Sequence, residues 1–440
     1  MLQTTQVEDI ILVEKHISPS LSTINDSSPI KKTTTTTIKT TLSATLTNDD
    51  ELNRLQRKIA KRVVTFQPRR SQLDRETLDS HQDSFRGFFT LFWIAMGFYI
   101  IQAGVKNFQS AGILVDLSFF RLFSQDAIGL ILSDMCMVGS MFFAVLLQKV
   151  IARGWIRWRY TGMIIQHIFQ VMFLFVPTYW TFFKGWPWVQ SGFFVLHTIS
   201  MLMKLHSYAF YNGELSTYAI RFSELKERYA NLVGESKKSD IEVDEKNENQ
   251  RQILDQLEEK INQVEGYLHS PSKNICYPEN VTFLNYVDFL LVPTLVYELE
   301  YPRTEKIRPC FADRNFYDDW WNSTTWEEFA RKWNKPVHHF LLRHVYQYSI
   351  ESYKLSKRDA TFMTFFLSSL IHELVMVVVS KKIRMYLFVL QMLQLPLIWL
   401  SKLPTIKEKK WLGNAFFWFG LFLGPPLLGI LYCREVFASD

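Results

Sequence analysis

A histidine and a glutamate interrupt an apolar segment in the last third of the chain. His372 and Glu373 lie within residues 361–379, a mostly apolar run of the length that crosses a membrane. An ionisable pair in such a run must be sheltered by protein, and it therefore indicates a functional site. A site of low dielectric constant keeps an imidazole neutral, so it can accept a proton near neutral pH. We expect the pair to be buried and His372 to act as a general base.

The residues around His372 exclude two simpler arrangements. Met376 stands where the HExxH zinc motif requires its second histidine. Glu373 points about 100° away from His372 on a helix, so the two should not form a simple dyad. Ser368, four residues earlier, should share the face of His372 and lie within reach. The alternative is a structural histidine satisfied by a neighbouring helix, but the adjacent glutamate favours a functional role.

Tryptophans, carboxylates and bases are concentrated in a segment upstream of His372. It opens with Phe316-Tyr317-Asp318-Asp319-Trp320-Trp321-Asn322 and continues through Trp326, Arg331-Lys332-Trp333-Asn334-Lys335, His338-His339 and Arg343-His344. Basic side chains would bind phosphates, and tryptophan would stack on a base or line an acyl channel. The segment therefore predicts a site for a large anionic ligand with an aromatic ring. The alternative is an interfacial aromatic belt, which would not need the carboxylates or Asn334.

A smaller polar group, His206-Ser207-Tyr208, follows an apolar helix, with Asn212 four residues after Tyr208. It predicts either part of a site or a polar helix end at the membrane interface, with about equal weight.

Composition limits the class of protein. Aromatic residues make up 15% of the 440 residues and charged residues 21%, and the net charge is +6. The sequence contains no block of basic residues interleaved with aromatics, which is the pattern that would indicate a nucleic-acid surface. The four cysteines have no metal-ligand spacing, so we expect no metal. The sequence has no GxSxG elbow, phosphate-binding loop or dinucleotide fingerprint, which argues against an α/β hydrolase and an ATP-driven pump.

Hydropathy predicts an all-α, polytopic integral membrane protein with seven spans and one partial segment. Residues 283–296 form the partial segment, because they are too few and contain Asp288 and Pro293, so we expect a re-entrant or broken helix. The predicted spans are residues 88–105, 127–150, 163–183, 188–203, 361–379, 385–400 and 412–432.

The polar segments predict the domain organisation. Residues 1–85 are polar and of low complexity, and we predict a disordered cytosolic tail before a multi-span domain over residues 86–440. Within that domain, residues 236–266 predict a charged amphipathic helix outside the bilayer, lying on its own protein. Its apolar positions are Leu254, Leu257, Ile261 and Val264.

The motifs resemble the membrane-bound O-acyltransferase family. Residues 316–322 match its FYxDWWN pattern, His372-Glu373 falls where the family has its active-site histidine, and Asn334 resembles its second important residue. His206-Ser207-Tyr208 and Tyr301-Pro302-Arg303-Thr304 resemble the sterol branch, of fungal type, rather than the diacylglycerol branch. The resemblance extends from about residue 85 to the C-terminus.

The resemblance implies that the chain transfers a fatty acyl group from acyl-CoA to the 3-hydroxyl of a sterol. His372 and Asn334 would be catalytic, and acyl-CoA would be a co-substrate with no cofactor or metal. The resemblance also implies a multi-pass protein of the endoplasmic reticulum membrane that forms a dimer or tetramer. The residues predicted to bind substrate are Phe316, Tyr317, Asp319, Trp320, Trp321, Asn322, Arg331, Trp333, His338, Ser368, Glu373, His206, Ser207 and Tyr208.

Two other functions remain open. One is acyl transfer to diacylglycerol. The other is a transporter or sterol-binding membrane protein in which His167, His197, Asp134 and His372 line a pathway.

The sequence departs from the family at one place. The family has a long stretch with further membrane helices between its Tyr-Pro-Arg and FYxDWWN motifs, whereas here Arg303 and Phe316 are only 13 residues apart. We therefore expect a missing segment at about residues 308–311. A deletion, a splicing variant and an error in the gene model are the alternatives. A real loss would remove part of the wall around the site.

Overall fold

Helices form nearly all of the regular structure, as the long apolar segments predict. The computed structural model describes residues 86–113, 123–238, 244–301, 316–401 and 409–437, and within these ranges the β-structure is limited to one bridge between His269 and Cys276. The predicted tail (residues 1–85) and the predicted join (residues 308–311) lie outside the described residues.

The helices are numbered here in chain order. They are α1 (Arg86–Ala111), α2 (Ala127–Ser140), α3 (Phe142–Ala152), α4 (Met163–Phe183), α5 (Trp188–Lys238), α6 (Asp244–Leu268), α7 (Phe283–Leu291), α8 (Trp326–Trp333), α9 (Lys335–Phe340), α10 (Tyr348–Ser352), α11 (Lys357–Ser380), α12 (Tyr386–Met392), α13 (Gln394–Ser401) and α14 (Lys410–Phe437). Trp158–Gly162 and Leu341–Gln347 are π-helical, and Trp320–Asn322 is a single 3-10 turn.

Several helices have the length and composition of membrane spans. Among the described residues, four qualify: Ala127–Ala152, Trp158–Phe183, Lys357–Ser380 and Lys410–Arg434. Tyr386–Ser401 is a shorter apolar helical stretch that covers the predicted span 385–400. Two other predicted spans form helices, in α1 and α5, but are not among these four. In α5, polar residues such as Gln190, His197 and Lys204 interrupt the apolar run.

The partial segment is a broken helix, as expected. Helix α7 ends at Leu291, and Val292 is already extended. The last carbonyls of a helix have no hydrogen-bond donor within the helix. At the end of α7, Lys204 of α5 is that donor. Its Nζ donates to the carbonyls of Phe289, Leu290 and Val292 at 2.9, 2.8 and 2.7 Å. A buried lysine in α5 therefore caps the broken end.

The charged amphipathic helix exists, but its boundaries differ from the prediction. Residues 236–238 still belong to α5, and the second helix starts at Asp244. Leu257, Ile261 and Val264 are buried where α6 packs along α5. The apolar stripe thus covers the chain's own long helix.

Helix α5 is the central element and sets the position of α11. It packs against α2, α3, α4, α6 and α11. Helices α5 and α11 run antiparallel, because Lys381 Nζ, just after the end of α11, lies 3.2 Å from Ser191 Oγ near the start of α5. Further along, one apolar cluster joins Val195, Ile199 and Met203 of α5 to Ile371, Val375 and Val378 of α11. The last three residues form the face of α11 that packs on α5.

Candidate active site

His372 has a defined tautomer. Its Nδ1 lies 2.8 Å from the backbone carbonyl of Ser368. A carbonyl oxygen only accepts hydrogen bonds, so Nδ1 must carry the proton and Nε2 must hold the lone pair. This is the form of histidine that a general base requires. Ser368 thus contacts His372 through its backbone carbonyl, whereas a role of its hydroxyl stays a prediction.

The expectation that both members of the pair are buried is wrong for His372. Its side chain is exposed, whereas Glu373 is only 3% exposed. The reason is the helix geometry: Ile371, Val375 and Val378 occupy the face that packs on α5, and His372 lies about 100° from that face.

Glu373 points to a different part of the structure, as its spacing predicted. Its Oε1 accepts from the backbone N–H of Met385 at 2.8 Å, and its Oε2 from that of Phe388 at 3.1 Å. The Tyr432 hydroxyl lies 2.9 Å from both oxygens. Both oxygens are therefore occupied within the protein, which argues against the predicted contact with substrate.

The tryptophan motif folds back onto the end of α8. The Asp318 N–H donates to the Lys332 carbonyl at 2.9 Å, and the Lys335 N–H donates to the Phe316 carbonyl at 2.8 Å. Two ion pairs close the same loop, Asp318 to Lys335 and Asp319 to Lys332, each at 2.9 Å. The motif is thus a closed turn.

Helix α14 holds this turn in place. The Trp321 carbonyl accepts from Asn414 Nδ2 at 3.1 Å and from Trp418 Nε1 at 3.2 Å. Asn414 Nδ2 also donates to the Ser323 carbonyl at 2.9 Å. Trp320 packs edge-on against Trp333, with ring centroids 4.8 Å apart. The motif is therefore packed between α8 and the last helix.

The motif and His372 lie on the same side of α11. Phe365 belongs to the aromatic cluster that contains Trp320, Trp326 and Phe329. His372 follows Phe365 by seven residues, two helical turns, which places it on the same face about 10 Å further along the axis. The fold thus brings together the two halves that the sequence separated.

Asn334 links α8 to α9. Its Oδ1 accepts from the Val337 N–H at 3.2 Å and caps the start of α9. Its Nδ2 makes no hydrogen bond within the described residues, and the side chain is exposed. His338 lies one turn later on the same side. Burial, with smaller contributions from His339 and Arg331, lowers the pKa of His338 to about 4, so this imidazole is neutral at physiological pH.

The three basic residues next to Trp333 differ in their availability to an anion. Lys332 contacts Asp319 at 2.9 Å and Glu328 at 2.7 Å, and Lys335 contacts Asp318. Arg331 is 57% exposed and lies 3.9 Å from Glu327. Of the three, Arg331 is the one that can turn towards a phosphate, because exposed pairs are weak.

Ser207 and Tyr208 bind other parts of the protein. Ser207 Oγ accepts from the Tyr297 N–H at 2.8 Å and lies 2.9 Å from His344 Nε2. Tyr208 is fully buried, with its ring 4.9 Å from that of Tyr297. These contacts hold the extended segment after α7 and the π-helical turn against α5.

His206 contacts Gln170 of α4 and shares His344 with Ser207. Its Nδ1 lies 3.1 Å from Gln170 Nε2, and its ring is 5.1 Å from that of His344. Sequence reasoning missed Gln170, although a glutamine in an apolar span was a signal that could have found it.

The groups proposed to line a transport pathway lie in separate places. His197 pairs with Asp134 at 2.6 Å, whereas His167 contacts Gln170 at 3.2 Å. His372 bonds to its own helix. No hydrogen bond within the described residues joins these three places, which argues against one continuous polar path. The described residues also contain no group of three metal-ligating side chains.

These features define a helical, multi-pass membrane protein in which an oriented histidine lies on the same face of α11 as the contact with the tryptophan turn. Residues 309–434 match the sequence model of the membrane-bound O-acyltransferase family. The chain is 33% identical to the probable sterol O-acyltransferase 1 of Schizosaccharomyces pombe, over 83% of this chain and 85% of that protein. It therefore belongs to the membrane-bound O-acyltransferase family and is an acyltransferase.

Further relatives have the same kind of name. The sterol O-acyltransferase 2 of Candida albicans is 29% identical over 84% of this chain and 78% of that protein. The corresponding protein of Saccharomyces cerevisiae is 30% identical over 79% and 66%. A diacylglycerol O-acyltransferase 1-2 of Oryza sativa subsp. japonica is 35% identical, but over only 39% of each chain.

The alignment with the Schizosaccharomyces pombe relative contains positions that have no counterpart in this chain. It extends over 460 positions but includes 83% of 440 residues, which is about 365, so about 95 positions face gaps in this chain. Together these gaps are as long as two membrane helices with their loops. The location of a missing segment at residues 308–311 stays a prediction.

Proposed function

We propose that this chain transfers a fatty acyl group from acyl-CoA to the 3-hydroxyl of a sterol. The observation that carries the proposal is the 33% identity to a probable sterol O-acyltransferase over most of both chains. The oriented base at His372 supports the same chemistry. Both the acceptor and the acyl chain are lipids and lie in the bilayer, so a base on a membrane helix is accessible to both.

His372 would act on the acceptor hydroxyl. Nε2 takes the hydroxyl proton as the oxygen attacks the thioester carbonyl, and the Ser368 carbonyl stabilises the resulting imidazolium through Nδ1. When the tetrahedral intermediate collapses, the C–S bond breaks and the departing CoA thiolate takes the proton from Nε2. The proton balance closes without a covalent enzyme intermediate.

Asn334 would stabilise the developing oxyanion. Its oxygen is held by the start of α9, and the side chain is exposed. A donor held in advance by its own cap needs little reorganisation during the reaction, and this is the condition under which such donors are effective.

The neighbouring segment would bind acyl-CoA as co-substrate. Arg331 is available for a phosphate, and Trp333, which is 51% exposed, offers an aromatic face beside it. No metal or other cofactor has a role in this scheme. We further propose residence in the endoplasmic reticulum membrane and a homo-oligomeric state, which imaging of a tagged chain and light scattering in detergent would test.

Labelled oleoyl-CoA supplied to microsomes tests the reaction. The chain is expressed in cells that lack their own sterol and diacylglycerol acyltransferases, and the neutral lipids are separated after incubation with a sterol. We expect labelled sterol ester from the wild type and at least about 100-fold less from His372→Ala at matched abundance. Labelled sterol that is moved across the membrane but never esterified would instead support the transporter hypothesis.

Diacylglycerol is the second acceptor to test, because the Oryza sativa relative shares 35% identity over part of the chain. We expect sterol ester to exceed triacylglycerol when both acceptors are present. Triacylglycerol as the main labelled product would reverse this order.

A further inference from the structure

The Glu373 carboxylate lies at the junction of three helices. It belongs to α11 and accepts hydrogen bonds from the backbone of α12 and from Tyr432 of α14. Glu373 is 3% exposed and Tyr432 is 4% exposed. Neither side chain can reach a substrate without dismantling this junction, and neither has a role in the proposed chemistry.

The start of α12 explains why a carboxylate is needed there. Met385 precedes α12 in the left-handed region, with φ of 60°, and its side chain provides no cap. A residue with a side chain adopts this conformation only when its surroundings hold it there. The first N–H groups of a helix also need acceptors. Glu373 supplies both oxygens, and hydrogen bonds to an ionised acceptor are stronger than neutral ones.

Tyr432 completes the junction from the last helix. Its hydroxyl donates to the carboxylate and accepts from the Leu387 N–H at 3.3 Å. Its ring also packs against that of Tyr386, with centroids 5.4 Å apart. The hydroxyl therefore connects α14 to both α11 and α12.

This junction fixes the rotation of α11 about its own axis. The face towards α5 is made by Ile371, Val375 and Val378, whose apolar contacts are not directional. The bonds to Glu373 are directional, and His372 is the next residue. A rotation of α11 that weakens them also swings Nε2 away from its target. Displacement of a reacting group by about 1 Å can cost 10²-fold in rate.

We propose that Glu373 and Tyr432 are positioning residues that hold His372 in its reactive orientation. The inference rests on the proposed function, because it assumes that His372 acts on the acceptor hydroxyl. It assigns Glu373 to the packing of the helices rather than to substrate binding.

Tyr432→Phe tests the proposal with little change in volume. It removes the hydroxyl and keeps the ring, and Tyr386→Phe makes the same change on the neighbouring ring as a matched control. We expect Tyr432→Phe to lower kcat about tenfold, well within the range for a displaced group, with KM for acyl-CoA and sterol unchanged. Glu373→Gln should lower kcat further. The NH₂ group of the glutamine would face the N–H of Met385 or of Phe388, and two donors cannot form a hydrogen bond. Tyr386→Phe should keep the wild-type kcat.

A double variant separates positioning from general stability. If Tyr432 acts through His372, Tyr432→Phe should have no effect on the residual rate of a His372→Ala chain. All rates are referred to the folded fraction, measured by monodisperse elution in detergent. An unchanged kcat in Tyr432→Phe, a raised KM with unchanged kcat, or an equal loss in the His372→Ala background would each overturn the proposal. Failure of the wild type to form sterol ester would count against the proposed function instead.

Discussion

At the residue scale, the hydrogen bond from His372 Nδ1 to the Ser368 carbonyl determines which ring nitrogen can act as a base. The partner is a backbone atom of the same helix, four residues earlier, so the tautomer is maintained wherever that turn is helical. This local arrangement does not depend on the segments that surround the site, and it makes the histidine a sharp target for mutation.

Replacement of His372 by alanine should lower ester formation to a small residual rate. General bases contribute about 10²–10⁴-fold to rate, so we expect a loss of at least about 100-fold with protein abundance near normal. Ester formation from labelled acyl-CoA measures it. Ser369→Ala is the control, because the Ser369 hydroxyl bonds back to the Phe365 carbonyl at 2.7 Å in the same helix. Turnover of His372→Ala at the wild-type rate would end the mechanism.

Asn334 caps α9 and is proposed to donate to the oxyanion, and mutation can separate these two roles. Its Oδ1 caps α9, whereas its Nδ2 is open. Asn334→Asp keeps a good capping oxygen and removes the donor, so it should lower kcat about 10²–10³-fold while leaving thermal stability near that of the wild type. Asn334→Ala removes both and should lower stability as well. If Asn334→Asp is fully active, Asn334 is a helix cap and nothing more.

At the element scale, α14 supports both halves of the site. Near its start, Asn414 and Trp418 bond to the carbonyls of the tryptophan turn. Near its end, Tyr432 bonds to Glu373 beside His372. One helix thus sets the position of the tryptophan turn and of the catalytic candidate relative to each other.

Glycines in α14 provide a test of this arrangement. A Cβ at Gly413 would lie 2.6 Å from the Thr324 carbonyl oxygen, whereas a Cβ at Gly424 would meet nothing within 4 Å. Gly413→Ala should push the tryptophan turn off α14 and raise KM for acyl-CoA several-fold. Gly424→Ala, the matched control, should leave KM unchanged, since alanine is preferred to glycine in a helix by about 1 kcal/mol. Equal KM values in both variants would show that the position of the tryptophan turn does not affect acyl-CoA binding.

At the scale of the whole molecule, the exposure of His372 and the gaps in the alignment both bear on the wall around the site. The alignment with the Schizosaccharomyces pombe relative contains about 95 positions that face gaps in this chain, and the candidate base is exposed. A site that handles a thioester must exclude water, which would compete with the acceptor. The absent positions are therefore the expected source of a missing wall.

Restoring those positions should improve the enzyme. We expect a chain carrying the corresponding segment of a fungal relative at residues 308–311 to be more stable and to form more sterol ester than the chain as it stands. Expression of both in cells that lack sterol esters, with ester per unit of folded protein as the measure, checks this. Equal ester formation by the short chain would show that the segment is dispensable.

The sequence alone determined the helical, membrane-spanning class and the two motifs that carry the resemblance. Helix periodicity and apolar length are local properties, so the spans around His372, the break after residue 291 and the stripe of Leu257, Ile261 and Val264 could all be predicted. The 100° offset between His372 and Glu373 followed from the same geometry.

The tertiary structure decided which partners those side chains find. Glu373 meets Tyr432 from 59 residues away, and Ser207 meets Tyr297 from 90 residues away. No local pattern encodes such pairs, because they depend on which helix faces pack together. The same packing neutralises Lys332 and Lys335 with the motif's own aspartates and leaves His372 exposed rather than buried. Spacing fixes the direction of a side chain on its helix, but contacts between distant segments fix what it meets.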